Sequence, residues 1–182
     1  TTGSKGFLMI TWVIGNGPSN RSWHNIDLHP SIGCNYGIKD FAVDHLVCVD
    51  RMAVHAVSKL AKNPNTTYWC KQSPLETPKG WQECEPAGMD SGSTAIKLAH
   101  TLYPQNQIIA IGFDGVLNES NENAYTYHFR NNPTTTEKTR LKHRRAILDL
   151  LPTLPSIRFV GCQPDPELEV ITYDQAFKIA IT

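Results

Sequence analysis

Three runs of this chain are apolar on both alternating faces: Phe7 to Ile14, Asp44 to Asp50 through its middle, and Gln107 to Phe113. A strand that is apolar on one face only can lie against water, whereas one apolar on both faces needs cover above and below. Between and after these runs the apolar residues switch to helical spacing. Met52, Ala56 and Leu60 share a face beginning beside Asp50, a residue type suited to N-capping. Ala95, Leu98, Ala99 and Leu102 form a second stripe from Ser91 onward. Strands alternating with helices, with the strands covered on both sides, predict a single Rossmann-like α/β domain over residues 1–182 with a mostly parallel sheet.

Further elements fill in around that frame. Ser31 to Tyr36 and Thr66 to Lys71 read as short strands, and Ile157 to Cys162 as a sixth. Residues 72 to 90 hold three prolines and two glycines and read as a long loop. Residues 114 to 133 are polar and Asn-rich, which predicts a flexible flap. Thr134 with Glu137 makes a capping box for a helix running to about Leu151, closed by Pro152, with Leu141, Leu148 and Leu151 turned inward. Tyr173 to Ile179 offers a last short helix.

Composition narrows the partners. The 182 residues carry 17 basic and 17 acidic side chains, and a zero net charge argues against a nucleic-acid backbone as the main partner. No run of apolar residues is long enough to span a bilayer. Cys34, Cys48, Cys70, Cys84 and Cys162 are odd in number and form no CxxC pair, which fits buried free thiols in a reducing, cytoplasmic setting. Thr1 to Gly6 reads as a cloning remnant rather than a signal peptide. A homo-oligomer stays open.

In a sheet of this kind, ligands bind beyond the carboxyl ends of the strands. The residues there are Gly15-Asn16-Gly17-Pro18-Ser19 after the first strand, Asn35 after the second, Asp50 after the third, and Gly112-Phe113-Asp114 after the fifth. Asp90-Ser91-Gly92-Ser93-Thr94 opens a helix, where free amides and the dipole favour an anion; the alternative is that Asp90 or Ser91 simply caps it. The first loop lacks the lysine of a phosphate-binding P-loop, and Asn20 stands where a dinucleotide fingerprint has its third glycine.

Taken together, the strand ending in Gly15-Asn16-Gly17-Pro18-Ser19, then Cys34-Asn35, Ser91-Gly92 at a helix start, and a strand ending in Gly112-Phe113-Asp114 resembles the bacterial sialyltransferases named for that glycine loop. It is similar as well to motility-accessory glycosyltransferase and pterin pyrophosphokinase-like domains, and is nearest in length to small phage-encoded relatives. The resemblance spans roughly residues 8 to 130 and implies a metal-independent glycosyltransferase that uses a nucleotide-sugar donor such as a CMP-sugar. It implies nucleotide-binding roles for Gly15, Asn16, Gly17, Ser19, Asn35, Ser91 and Gly92, with Asp114 at the base of the pocket. Tyr125 and Tyr127 would assist the departing phosphate, and His128 would serve as base, an imidazole being suited to that task near neutral pH. The chain is much shorter than the family and has no clear counterpart of its lid. Two other functions therefore remain: a non-catalytic nucleotide-binding or sequestering protein, and a Mg²⁺-dependent pyrophosphokinase-like transferase using Asp50 and Asp114. The basic run Lys138, Arg140, Lys142, His143, Arg144 and Arg145 reads more readily as a solvated helix face than as a grip on a phosphate-rich acceptor.

Overall fold

The computed structural model describes residues 9–23, 25–60, 62–71, 77–88, 90–120, 136–154 and 156–181. Among the described residues, eight strands form one parallel sheet in the order β5-β4-β3-β2-β1-β6-β7-β8. They are β1 (Ile10–Ile14), β2 (Ser31–Cys34), β3 (His45–Cys48), β4 (Thr67–Lys71), β5 (Trp81–Cys84), β6 (Gln107–Ile111), β7 (Ile157–Val160) and β8 (Val170–Ile171). The helices are α1 (Arg51–Ser58), α2 (Ser91–Leu102), α3 (Glu137–Leu150) and α4 (Tyr173–Ala180). The arrangement is Rossmann-like, and among the described residues no helix is long and apolar enough to cross a membrane.

Period-two alternation divides the core into two layers. Trp12, Ile14, Leu46, Ile109 and Ile111 face one side, where Ala53 and Val57 of α1 and Ala176 of α4 cover them. Val13, Val47, Ile108 and Ala110 face the other, under Ala95, Ile96 and Ala99 of α2 and Ile147 of α3. The strand order runs outward from β1 to β5 and then resumes on the other side of β1 with β6. The switch point therefore lies between β1 and β6, which pair from Ile10 with Gln107 to Ile14 with Ile111.

Several expectations change. Residues 72 to 90 are not all loop: Trp81–Cys84 pairs with β4, and its burial pattern, buried only at Trp81, is that of a sheet edge. The two-residue β8 forms the other edge. The second strand stops at Cys34, where Asn35 adopts a positive φ of 48° and opens a 3-10 turn to Lys39. Asp50 does cap α1, accepting from Met52 N at 2.7 Å. The buried face of α1 is Ala53 and Val57, however, and Met52 is 53% exposed. α3 is capped by Thr136, which accepts from Thr139 N; Thr134 lies outside the described residues. Leu141 points outward and Ile147 is the buried residue of α3. Residues 114 to 120 are not a loose flap but a hydrogen-bonded turn that buries Val116 and Leu117; the remainder of the segment expected to be a flap lies outside the described residues.

Candidate functional site

The loops after β1 and β6 lock together at the switch point. Gly15 N donates to Ile111 O at 2.8 Å, and Gly17 N donates to Gly112 O at 2.7 Å. A Cβ on Gly15 would collide with Gly112 O, and one on Gly17 with the Asp114 carboxylate. Gly112 itself has φ +73°, a conformation a side chain would strain. These glycines thus allow two backbones to touch. Asn20, in the 3-10 turn Pro18–Trp23, is fully buried and donates from Nδ2 to Gly15 O at 2.8 Å. It is the residue that sequence reasoning noted only for not being glycine. Trp23 ends the same turn, stacked on Phe177 of α4 with ring centroids 4.3 Å apart.

Ser19 and Asp114 meet behind this seam. Ser19 Oγ donates to Asp114 Oδ2 at 2.7 Å, and Ser19 N approaches the same oxygen at 3.4 Å. Asp114 is 6% exposed, and neither residue lines the adjoining crevice. The pair braces the glycine loop from its far side.

A second knot ties α2 to β2 and β3. Ser91 Oγ donates to Asn35 Oδ1 at 2.9 Å and accepts from Val49 N at 3.0 Å. The left-handed backbone at Asn35 is one that asparagine tolerates better than most residues. Cys34 Sγ donates to Ser91 O at 3.4 Å, and burial pushes its thiol pKa well up, so it presents S–H rather than a thiolate nucleophile. Asp90 is the cap of α2, accepting from Ser93 N at 2.8 Å and from Ser93 Oγ at 2.5 Å. The helix start therefore already carries a carboxylate. Gly92 lies beside it, with Phe113 bounding the space a side chain would take.

Between these two knots opens a crevice of about 820 Å³. Gly15, Asn16, Gly17, Asn35, Ser91 and Gly92 all line it. Six of the expected binding residues, drawn from three separate segments, thus converge, while Ser19 and Asp114 stand behind. Tyr125, Tyr127 and His128 lie outside the described residues. Ser120 and Thr139, on either side of that segment, both line the crevice.

The remaining wall is α3, whose basic run read in sequence more readily as a solvated face than as a grip on phosphate. Arg140, Lys142, His143 and Arg145 contribute to the lining, as does Ala146. α3 packs closely enough that a Cβ on Gly88 would come within 2.8 Å of Ala146 Cβ, and Arg140 Cγ lies 4.0 Å from the Cβ position of Gly115. Arg144 fixes it in place. Its guanidinium is bidentate to Asp165 at 2.8 Å for each bond, and reaches Glu167 at 2.8 Å and Val116 O at 2.9 Å. The hydrogen bonds from Arg144 hold the Asp165 carboxyl below the usual carboxylate range.

Chemically, the crevice offers backbone and amide groups on one side and cations on the other. Its carboxylates are engaged locally: Asp50 and Asp90 cap helices, and Asp149 pairs with Arg145 at 2.9 Å. Among the described residues no group of three His, Cys, Asp or Glu side chains is placed to hold a metal ion. Comparison with known proteins found no matching family model, curated protein or solved structure.

Proposed function

We propose that the crevice is the donor site of a nucleotide-sugar-dependent, glycosyltransferase-like enzyme. One observation carries this reading: Gly15 to Gly17, Asn35 and Ser91-Gly92 line a single cavity at the topological switch point. That is where open α/β sheets bind their ligands. The nucleoside end rests against the amide groups of Asn16 and Asn35. The resemblance gives the roles of leaving-group partners and base to Tyr125, Tyr127 and His128, which lie outside the described residues. Pyrophosphoryl transfer through paired Asp50 and Asp114 carboxylates is less well supported, because Asp114 is engaged by Ser19 away from the crevice.

The test is calorimetric titration of the protein with CMP, UMP, GMP and AMP and their diphosphates, with and without Mg²⁺, repeated on Asn35→Ala. Metal-free binding of one base family, weakened about tenfold or more by loss of one hydrogen-bonding side chain, is the expected result. The matching nucleotide-sugar is then assayed for release of nucleotide. Binding without release supports the non-catalytic, sequestering alternative. No binding by any nucleotide overturns the donor-site reading.

A further inference from the structure

α3 is built against its own helical stability. Lys138 sits in its first turn, where the positive end of the helix dipole disfavours a cation, and Arg140 and Lys142 follow in the next. Lys138 with Lys142, and Arg140 with Arg144, are like charges four residues apart, a spacing that destabilises a helix. Arg144 is neutralised by Asp165 and Glu167, and Arg145 by Asp149. Arg140 and Lys142 form no ion pair among the described residues, and both line the crevice. Helical periodicity places Thr139, Lys142, His143 and Ala146 on one face, with Arg140 at its flank. Lys138, likewise without an ion pair among the described residues, does not line it, so two of the three unneutralised cations of α3 stand over the cavity.

The opposite wall excludes the simpler location for an anion. The start of α2 is already occupied by the Asp90 carboxylate, and a second negative group there would be repelled. An anionic ligand in this crevice is therefore drawn across to α3. We infer that Arg140, Lys142 and His143 form a binding wall for an extended phosphate chain, so that the ligand is a nucleoside diphosphate or diphosphate-sugar rather than a monophosphate. The arginine supplies a planar fork for two phosphate oxygens, the lysine a compact charge, and the histidine a ring N–H. This inference rests on the nucleotide reading of the crevice and names the donor class within it.

The experiment compares each nucleoside monophosphate with its diphosphate, and includes inorganic tripolyphosphate, all in EDTA, on the wild type and on Arg140→Gln/Lys142→Gln. The diphosphate is expected to bind about tenfold or more tightly than the monophosphate, and the gain to disappear in the double variant, as the loss of two charge-assisted contacts requires. The variant also removes like-charge pairs, so its urea midpoint should equal or exceed that of the wild type, separating lost binding from lost folding. Equal binding of mono- and diphosphate by the wild type, or a gain that survives in the double variant, overturns the inference and leaves the donor-site reading standing. If tripolyphosphate binds in a variant-sensitive way and no nucleotide does, the phosphate wall stands and the nucleotide reading falls, taking the diphosphate donor with it.

Discussion

At the scale of single residues, the glycine loop teaches caution about what a glycine is for. The resemblance gave Gly15 and Gly17 nucleotide-binding roles, yet the space beside each is filled by Gly112 and Asp114. Gly17→Ala should therefore destabilise the protein even without ligand, by about 1–3 kcal/mol, as overpacking does. A urea titration of the unliganded protein reads this, and an unchanged midpoint would show that the loops can part. The contribution of Asn20 was hidden for a related reason. A buried side-chain amide bonded to a backbone carbonyl five residues earlier has no signature in sequence, because asparagine in a turn is ordinary. Asn35 was legible as a residue beyond a strand, though its positive φ and its bond to Ser91 depend on tertiary neighbours.

At the scale of elements, the long apolar runs were readable because two-sided burial leaves a dense pattern, and β1, β3 and β6 fall within them. β5 was not, because an edge strand is buried on part of one face only and this one follows a stretch rich in turn residues. The face of α1 was misassigned because eight residues give little more than two turns, too few for the period to select Ala53 and Val57 over Met52 and Ala56. α3 was recognised as a helix, but its place on the crevice depends on Arg144 finding Asp165, a contact between segments that sequence spacing does not announce. Arg144→Met should cost about 2–4 kcal/mol, since it strands a carboxylate that is only 10% exposed. The pH dependence provides the check. Asp165 has a lowered folded pKa, so its contribution is present above the ordinary aspartate value near 4 and is lost as pH falls through the folded value. Urea unfolding from pH 6 down to acid should show a steeper decline in the wild type than in the variant.

At the scale of the whole molecule, the two ends of the sheet are chemically distinct. The carboxyl end holds the crevice, and the opposite end holds two histidines with opposite proton preferences. His29 lies between Asp44 and Asp27, each 2.8 Å away, and the hydrogen bond to Asp44 leads in raising its pKa. His45 is driven the other way by burial. Its Nδ1 accepts from Trp69 Nε1 at 3.2 Å, leaving Nε2 to donate to Tyr103 Oη at 3.1 Å. The raised group stabilises the fold below the ordinary imidazole value near 6.5 and loses that contribution as pH rises through its folded pKa. The lowered group contributes fully above 6.5 and less as pH falls through its folded pKa. His29→Asn should therefore flatten a decline in stability toward alkaline pH, and His45→Asn a decline toward acid. Imidazole proton resonances should titrate above and below 6.5 respectively, and coincident titration would refute at least one of the two assignments. The order of strands has a consequence in time as well. Trp12 and Ile14 pair on one side with β2, but their other neighbours, Ile109 and Ile111, belong to β6, which is synthesised only after β2 to β5 and α2. Until then β1 is a bare edge, apolar on both faces, in the middle of what will become the core. A chain leaving the ribosome therefore carries β1 with one edge unpaired until β6 emerges, and the crevice, lined in part by Gly112 and Phe113 just after β6, forms only once that edge has closed.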